Sequence, residues 1–222
     1  MMRKYAAILA AVLALAATQP VLPAAKAILI LISADGFRAD YLERFKPPRL
    51  WQLAARGVRA DGMIPQFPAD TFPNHYTIAT GLTIPHHGVV ANSYRDPATG
   101  AMVPVAHRAQ DILREPLWVA ASRSGVRTAV YHWVGATGAW EGVTPWRLEP
   151  FKTLRPDTEA MAFAEAAFKD GAGLVMAYME GSDEPGHLHG PHSAEALHRQ
   201  AGNGVLITEI MGLHTVDPVS GD

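Results

Sequence analysis

Residues 27–33 read Ala-Ile-Leu-Ile-Leu-Ile-Ser, an unbroken apolar run, and the chain turns polar just beyond it at Asp35-Gly36. A strand with one wetted face alternates apolar and polar side chains, whereas a continuous run of this length suits a strand covered on both faces inside a parallel sheet. The run therefore predicts a central strand, and a parallel sheet in turn demands crossover connections, usually helices. The following sequence supplies them. Ala39 to Arg56 places Tyr41, Leu42, Phe45, Leu50, Leu53 and Ala54 near helical spacing, with Pro47-Pro48 dividing the helix in two and Gly57 ending it. Val58 to Ile64 reads as a second strand, Pro68 to Pro73 as a loop, and Asn74 to Thr80 as a helix stopped by Gly81. Leu113 to Ser124 reads as a helix, Gly125 as a turn and Arg127 to Trp133 as a strand. Thr158 to Lys169 is the clearest amphipathic helix, and Leu174 to Tyr178 is the strand after it. Alternating strands and helices predict an α/β fold in one domain, a mostly parallel sheet flanked by helices.

Composition narrows the partners. With 222 residues, 49% of them hydrophobic, the chain can bury a core of its own. A balance of 19 basic and 21 acidic residues, net charge -2, without long like-charged runs, gives no polyanion-binding surface, so no dedicated nucleic-acid binding is expected. There is no cysteine, which removes disulfides, thiolate ligands and a thiol nucleophile; any metal must be held by His and carboxylates. Arg3 and Lys4 precede the apolar run Ala6 to Ala17, the pattern of a secretory signal. That run is shorter than the roughly 20 residues a bilayer-spanning helix needs, so no permanent membrane anchor is expected. Residues 1–27 are read as a signal peptide with cleavage between 16 and 27, and the chain as exported, periplasmic or extracellular. Oligomeric state is not legible from these features.

In open α/β sheets, ligands bind beyond the carboxyl ends of the strands. Three places there carry polar residues: Asp35 after the first strand, the loop Asp70-Thr71-Phe72-Pro73-Asn74-His75, and Glu180, Asp183 and His187 after the last. Asp followed by His four residues later is a ligand pair available to zinc, which takes carboxylate oxygen and imidazole nitrogen; the same spacing also occurs in ordinary polar loops. Thr71, shortly before Pro73, also reads as a helix cap, Asn92 as a turn residue and Asp35 as an Asx turn beside Gly36. His75, His86, His87, His189 and His192 read as loop or supporting residues.

The segment DTFPNHYTIATGLTIPHHGVVANSYRDP, Asp70 to Pro97, resembles the nucleophile region of nucleotide pyrophosphatase/phosphodiesterases of the alkaline phosphatase superfamily. LISADGFRADYL, Leu31 to Leu42, resembles that family's first strand and metal-binding Asp, and YMEGSDEPGHLHGP, Tyr178 to Pro191, its Tyr-x-Glu-x-Pro-Asp-x-x-Gly-His-x-x-Gly-Pro motif. Three motifs in this order cover Ile28 to His198. The resemblance implies an alkaline-phosphatase-like core with two Zn²⁺ ions, Asp35 and Thr71 on one, Asp183 and His187 on the other. It implies Thr71 as nucleophile, Asn92 as oxyanion donor, and Phe72, Asn92 and Tyr178 as substrate-binding residues. Zinc activates a hydroxyl that is otherwise a weak nucleophile, so the implied reaction needs no neighbouring base. Attack on a nucleotide phosphodiester or pyrophosphate gives a phosphothreonyl ester, whose hydrolysis releases a nucleoside 5'-monophosphate.

The family's Ser-Asp-His-Gly-Met motif and its last histidine do not occur in this sequence. The expectation is a phosphodiesterase core over 28–198, incomplete at its C-terminal end, followed by a diverged tail over 199–222. Two alternatives follow: an inactive homologue that only binds a nucleotide or a partner, and a phosphomonoesterase or phosphonate hydrolase of the same superfamily.

Overall fold

The apolar run does form a strand, β1 (Leu29–Ala34), in a computed structural model that describes residues 28–105, 108–152 and 155–193. The expected signal peptide and tail lie outside the described residues. Short helices α1 (Tyr41–Phe45) and α2 (Pro48–Arg56) follow, split at the Pro pair, because Pro47 and Pro48 lack the N–H that would continue the first helix. Next come α3 (Thr71–Thr80), closed by Gly81 in the left-handed conformation, and α4 (Ile84–His87). A hairpin, β2 (Ser93–Arg95) and β3 (Met102–Pro104), leads to α5 (Leu117–Arg123) and β4 (Thr128–Tyr131). The chain continues through β5 (Arg147–Glu149), α6 (Asp157–Lys169), β6 (Leu174–Met179) and α7 (Asp183–His189).

Strands β1, β6, β4 and β5 lie side by side in that order, all parallel. Along β6, Leu174, Met176 and Tyr178 face one layer with Trp118, Val119 and Tyr76 from α5 and α3. The alternate residues Val175, Ala177 and Met179 face Ala160, Met161, Ala164 and Ala167 of α6. The period of two along a strand thus feeds two cores, and the alanines of α6 let that helix approach the sheet closely. Each large side chain so buried contributes about 1.5–3 kcal/mol.

The structure corrects several expectations. Among the described residues β1 is an edge, with Leu29 53% exposed, and the strands buried throughout are β4 and β6. An apolar run identifies a strand but not its place in the sheet, which depends on how the crossovers stack. Val58 to Ile64 is not a strand; it is exposed and irregular, with no partner strand to take its hydrogen bonds. Helix α3 starts at Thr71 rather than Asn74, since Pro73 suits a first helical turn, where no N–H is required. Asp183 to His189 is helical, where the spacing alone also allowed a polar loop.

Candidate active site

Asp35, Thr71 and Tyr178 meet at the carboxyl end of the sheet. β1 delivers Asp35 and β6, in register beside it, delivers Tyr178. One carboxylate oxygen of Asp35, Oδ2, accepts from the Thr71 hydroxyl at 3.0 Å and from the Tyr178 hydroxyl at 2.9 Å. The other, Oδ1, accepts from the Gly36 N–H at 3.0 Å. Thr71 is the first residue of α3, and its hydroxyl points to Asp35 instead of capping the helix. Asp70, the residue before it, makes no side-chain cap either. The cap comes from outside the helix, where Asn92 Oδ1 accepts the Phe72 N–H at 2.9 Å. That bond fixes the amide and leaves its NH₂ as donor.

Asp183 is brought in by backbone packing. Gly36 has φ +70, and a Cβ there would stand 2.8 Å from the Asp183 Cα. Only glycine allows β1 and α7 to meet so closely. Burial raises the Asp183 pKa, and the negative charge of Asp35 adds to it, while His187 pulls the other way. His187 Nε2 lies 3.4 Å from Asp183 Oδ1, and its side chain is 79% exposed. The four donors are two carboxylates, a hydroxyl and an imidazole, hard and borderline ligands of the kind zinc accepts. Among the described residues no three His, Cys, Asp or Glu side chains converge as a ready metal site. The donor set fits in kind and needs further donors to be complete.

The supporting residues are aromatic. Tyr178, expected at the substrate, is 3% exposed, and its hydroxyl is committed to Asp35. Burial, with Asp35 beside it, pushes that hydroxyl far above its usual range, so it stays protonated and donates. Phe72 is half-buried, edge-on to Phe151. His75, which sequence reading left among the supporting histidines, is a buried brace: Nδ1 lies 2.7 Å from the Thr71 carbonyl and Nε2 2.9 Å from Ser33 Oγ. A carbonyl only accepts, so Nδ1 carries the proton and Nε2 accepts from the serine. Burial holds this imidazole below its usual pKa, against the pull of the Thr71 carbonyl and the Asp35 charge, and so neutral. The spacing Thr71 to His75, one helical turn, is the sequence signal for this brace. A cleft of about 470 Å³ opens beside Asp35, Thr71 and His75, with Arg38 on its wall.

A parallel α/β sheet with a threonine hydroxyl on a carboxylate at its carboxyl end has the architecture of an alkaline-phosphatase-like domain. The family model described as type I phosphodiesterase / nucleotide pyrophosphatase matches residues 29–206. The chain belongs to this family. It is 41% identical over 177 residues to an uncharacterized pyrophosphatase/phosphodiesterase of Schizosaccharomyces pombe, covering 75% of this chain and 36% of that protein. Human ectonucleotide pyrophosphatase/phosphodiesterase family member 7 is 30% identical over 227 residues, covering 87% of this chain and 49% of that one. Among solved structures, murine ectonucleotide pyrophosphatase/phosphodiesterase 5, as an inactive threonine-to-alanine variant in complex with AMP, superposes with a TM-score of 0.76 at 25% identity. That match covers 84% of this chain and 52% of the murine one. The chain thus spans about half or less of the length of these relatives.

Proposed function

We propose that this chain carries the nucleophile side of a zinc-dependent hydrolase acting on phosphodiester or pyrophosphate bonds of nucleotides, and that it works outside the cytoplasm. The observation that supports this best is the Thr71 hydroxyl donating to Asp35 at the mouth of the cleft. The Thr71 oxygen attacks phosphorus in line, its proton having a ready acceptor in Asp35. The bond to the leaving oxygen breaks, giving a phosphothreonyl ester. Water then hydrolyses that ester, releasing a nucleoside 5'-monophosphate and restoring the hydroxyl. The Asn92 NH₂ is the donor for a non-bridging phosphoryl oxygen, and the N-terminus of α3 favours the negative charge there. Phe72 and Phe151 supply an apolar wall for the leaving group or base. Asp35 and Thr71 would hold one zinc ion, Asp183 and His187 another, and the mutual repulsion of Asp35 and Asp183 is the kind a bound cation relieves. When bound, zinc supplies Lewis-acid stabilisation of the charge that develops on oxygen. Relatives bear the prefix ecto- in their names, and no described helix is long and apolar enough to cross a membrane.

The test is hydrolysis of a chromogenic nucleotide phosphodiester with and without added zinc, with Thr71→Ala as control. Zinc-dependent turnover that falls to background in Thr71→Ala is the expected result; turnover unchanged by that substitution overturns the assignment. A second reading, a domain that binds nucleotide without turnover, draws on the incomplete donor set among the described residues. Saturable AMP binding in calorimetry together with zero turnover would favour it.

A further inference from the structure

His132 stands outside every motif the sequence brought forward, yet it occupies the strangest position near the site. Its backbone is left-handed, φ 59, a conformation uncommon for a residue other than glycine. Its side chain is 1% exposed. Strain of this kind persists where the surroundings over-determine it. Three contacts do so here. The His132 N–H donates to the Glu149 carbonyl at 2.8 Å, prolonging the β4–β5 pairing by one bond before the chain turns. The Lys152 N–H donates to His132 Nδ1 at 3.2 Å, which makes Nδ1 the acceptor and leaves the proton of the neutral ring on Nε2. The third contact is aromatic: the ring lies parallel to Phe151, at 4.7 Å and 16°, and to Tyr178, at 5.3 Å and 10°, and those two rings are parallel to each other at 6.2 Å and 18°, so the three form one offset cluster. Nε2 lies 3.4 Å from a Glu180 oxygen without a hydrogen bond to it.

We propose that His132 is a positioning residue of the site: stacked on Tyr178 and on Phe151, its ring holds the plane in which the Tyr178 hydroxyl reaches Asp35. The stack runs from the substrate side to the nucleophile. Phe72 stands edge-on to Phe151 at 5.8 Å, Phe151 lies on His132, His132 lies on Tyr178, and Tyr178 shares Asp35 Oδ2 with Thr71. A flat ring at position 132 is what the arrangement requires, since Phe151 by itself meets Tyr178 only at the longer distance of 6.2 Å. His75 meets Tyr178 edge-on at 4.6 Å from another side, so it blocks sliding but does not set the plane.

Two variants of the full chain separate ring from backbone. His132→Asn keeps a residue that tolerates positive φ and removes the ring; His132→Phe keeps a flat ring and removes both nitrogens. The reporter is the Tyr178 Cζ resonance in protein labelled with ¹³Cζ-tyrosine, assigned by Tyr178→Phe, with Asp35→Ala marking a phenol that has lost its acceptor. His132→Phe should leave the resonance at its parent position while the Lys152 amide loses exchange protection. His132→Asn should move it toward the Asp35→Ala position. A folded His132→Asn protein with the parent Tyr178 resonance overturns the proposal, and so does a displaced resonance in His132→Phe. The kinetic arm rests on the reading of Thr71 as nucleophile: His132→Asn lowers kcat about tenfold or more with KM held within about twofold, and His132→Phe restores it. A parent chain without turnover would sink the nucleophile reading and leave the resonance arm to decide on His132 by itself.

Discussion

Asn92 has two jobs that its two amide atoms divide between them. Its oxygen accepts the Phe72 N–H at the start of α3, and its nitrogen is the proposed donor to phosphate. Substitution can separate the two. Asn92→Asp keeps an acceptor for the helix N-terminus and places a favourable negative charge there, but loses the donor and repels an anionic substrate. Asn92→Ala loses both functions. Urea unfolding should therefore show Asn92→Ala destabilised by about 1 kcal/mol and Asn92→Asp near the parent or above it. Nucleotide phosphodiester turnover should fall by roughly 10²–10³ in both. Equal stability of the two variants would mean that the bond to Phe72 contributes nothing.

At the scale of elements, the site depends on how closely β1 and α7 approach, and Gly36 is the point of contact. Gly36→Ala would place a methyl 2.8 Å from the Asp183 Cα and 2.9 Å from its nitrogen, against backbone that has no soft direction in which to yield. Gly100 has nearly the same φ, +69, with open space around it, so Gly100→Ala isolates the conformational cost of about 1 kcal/mol. Gly36→Ala should lose about 1–3 kcal/mol more than Gly100→Ala in urea melts, and zinc binding measured by calorimetry should weaken only in Gly36→Ala. A difference near zero would mean that the two elements can part without consequence. The strands carrying this contact were legible: the unbroken runs at β1 and β6 and the alanine-rich helix between β5 and β6 announced themselves by periodicity. Their order was not, since β1 turned out to flank β6 among the described residues while the run alone suggested the middle of the sheet. Asp35, Thr71 and Asp183 were legible as candidates because each follows a strand or opens a helix in a segment that resembles the family's motifs. His75 was read only as one of several loop or supporting histidines, and His132 was not singled out, because stacking is a tertiary fact that spacing does not encode.

Among the described residues, burial lowers the pKa of two interior histidines, His75 and His87, and these shape how stability responds to acid. His87 is 0% exposed; its Nδ1 accepts the Val89 N–H at 3.2 Å, and its Nε2 lies 3.0 Å from the Thr77 hydroxyl. Burial lowers its pKa below the ordinary histidine value, and burial likewise lowers that of His75. The unfolded chain therefore binds protons at a higher pH than the folded one. Stability is full above the unfolded value and is lost as pH falls below it, until the depressed folded value is reached. The slope in that window is at most about 1.4 kcal/mol per pH unit for each histidine. His87 lies on α4, in contact with none of the proposed zinc ligands, so it reports on the core independently of metal. His87→Gln keeps polar atoms for Thr77 and Val89 but cannot take up a proton. Urea midpoints measured from about pH 7 to about pH 5 should decline less steeply in His87→Gln than in the parent, the residual decline belonging to His75 and to the carboxylates. Parallel curves for parent and variant would show that His87 titrates alike in both states, and that the interior between α3 and α4 admits water.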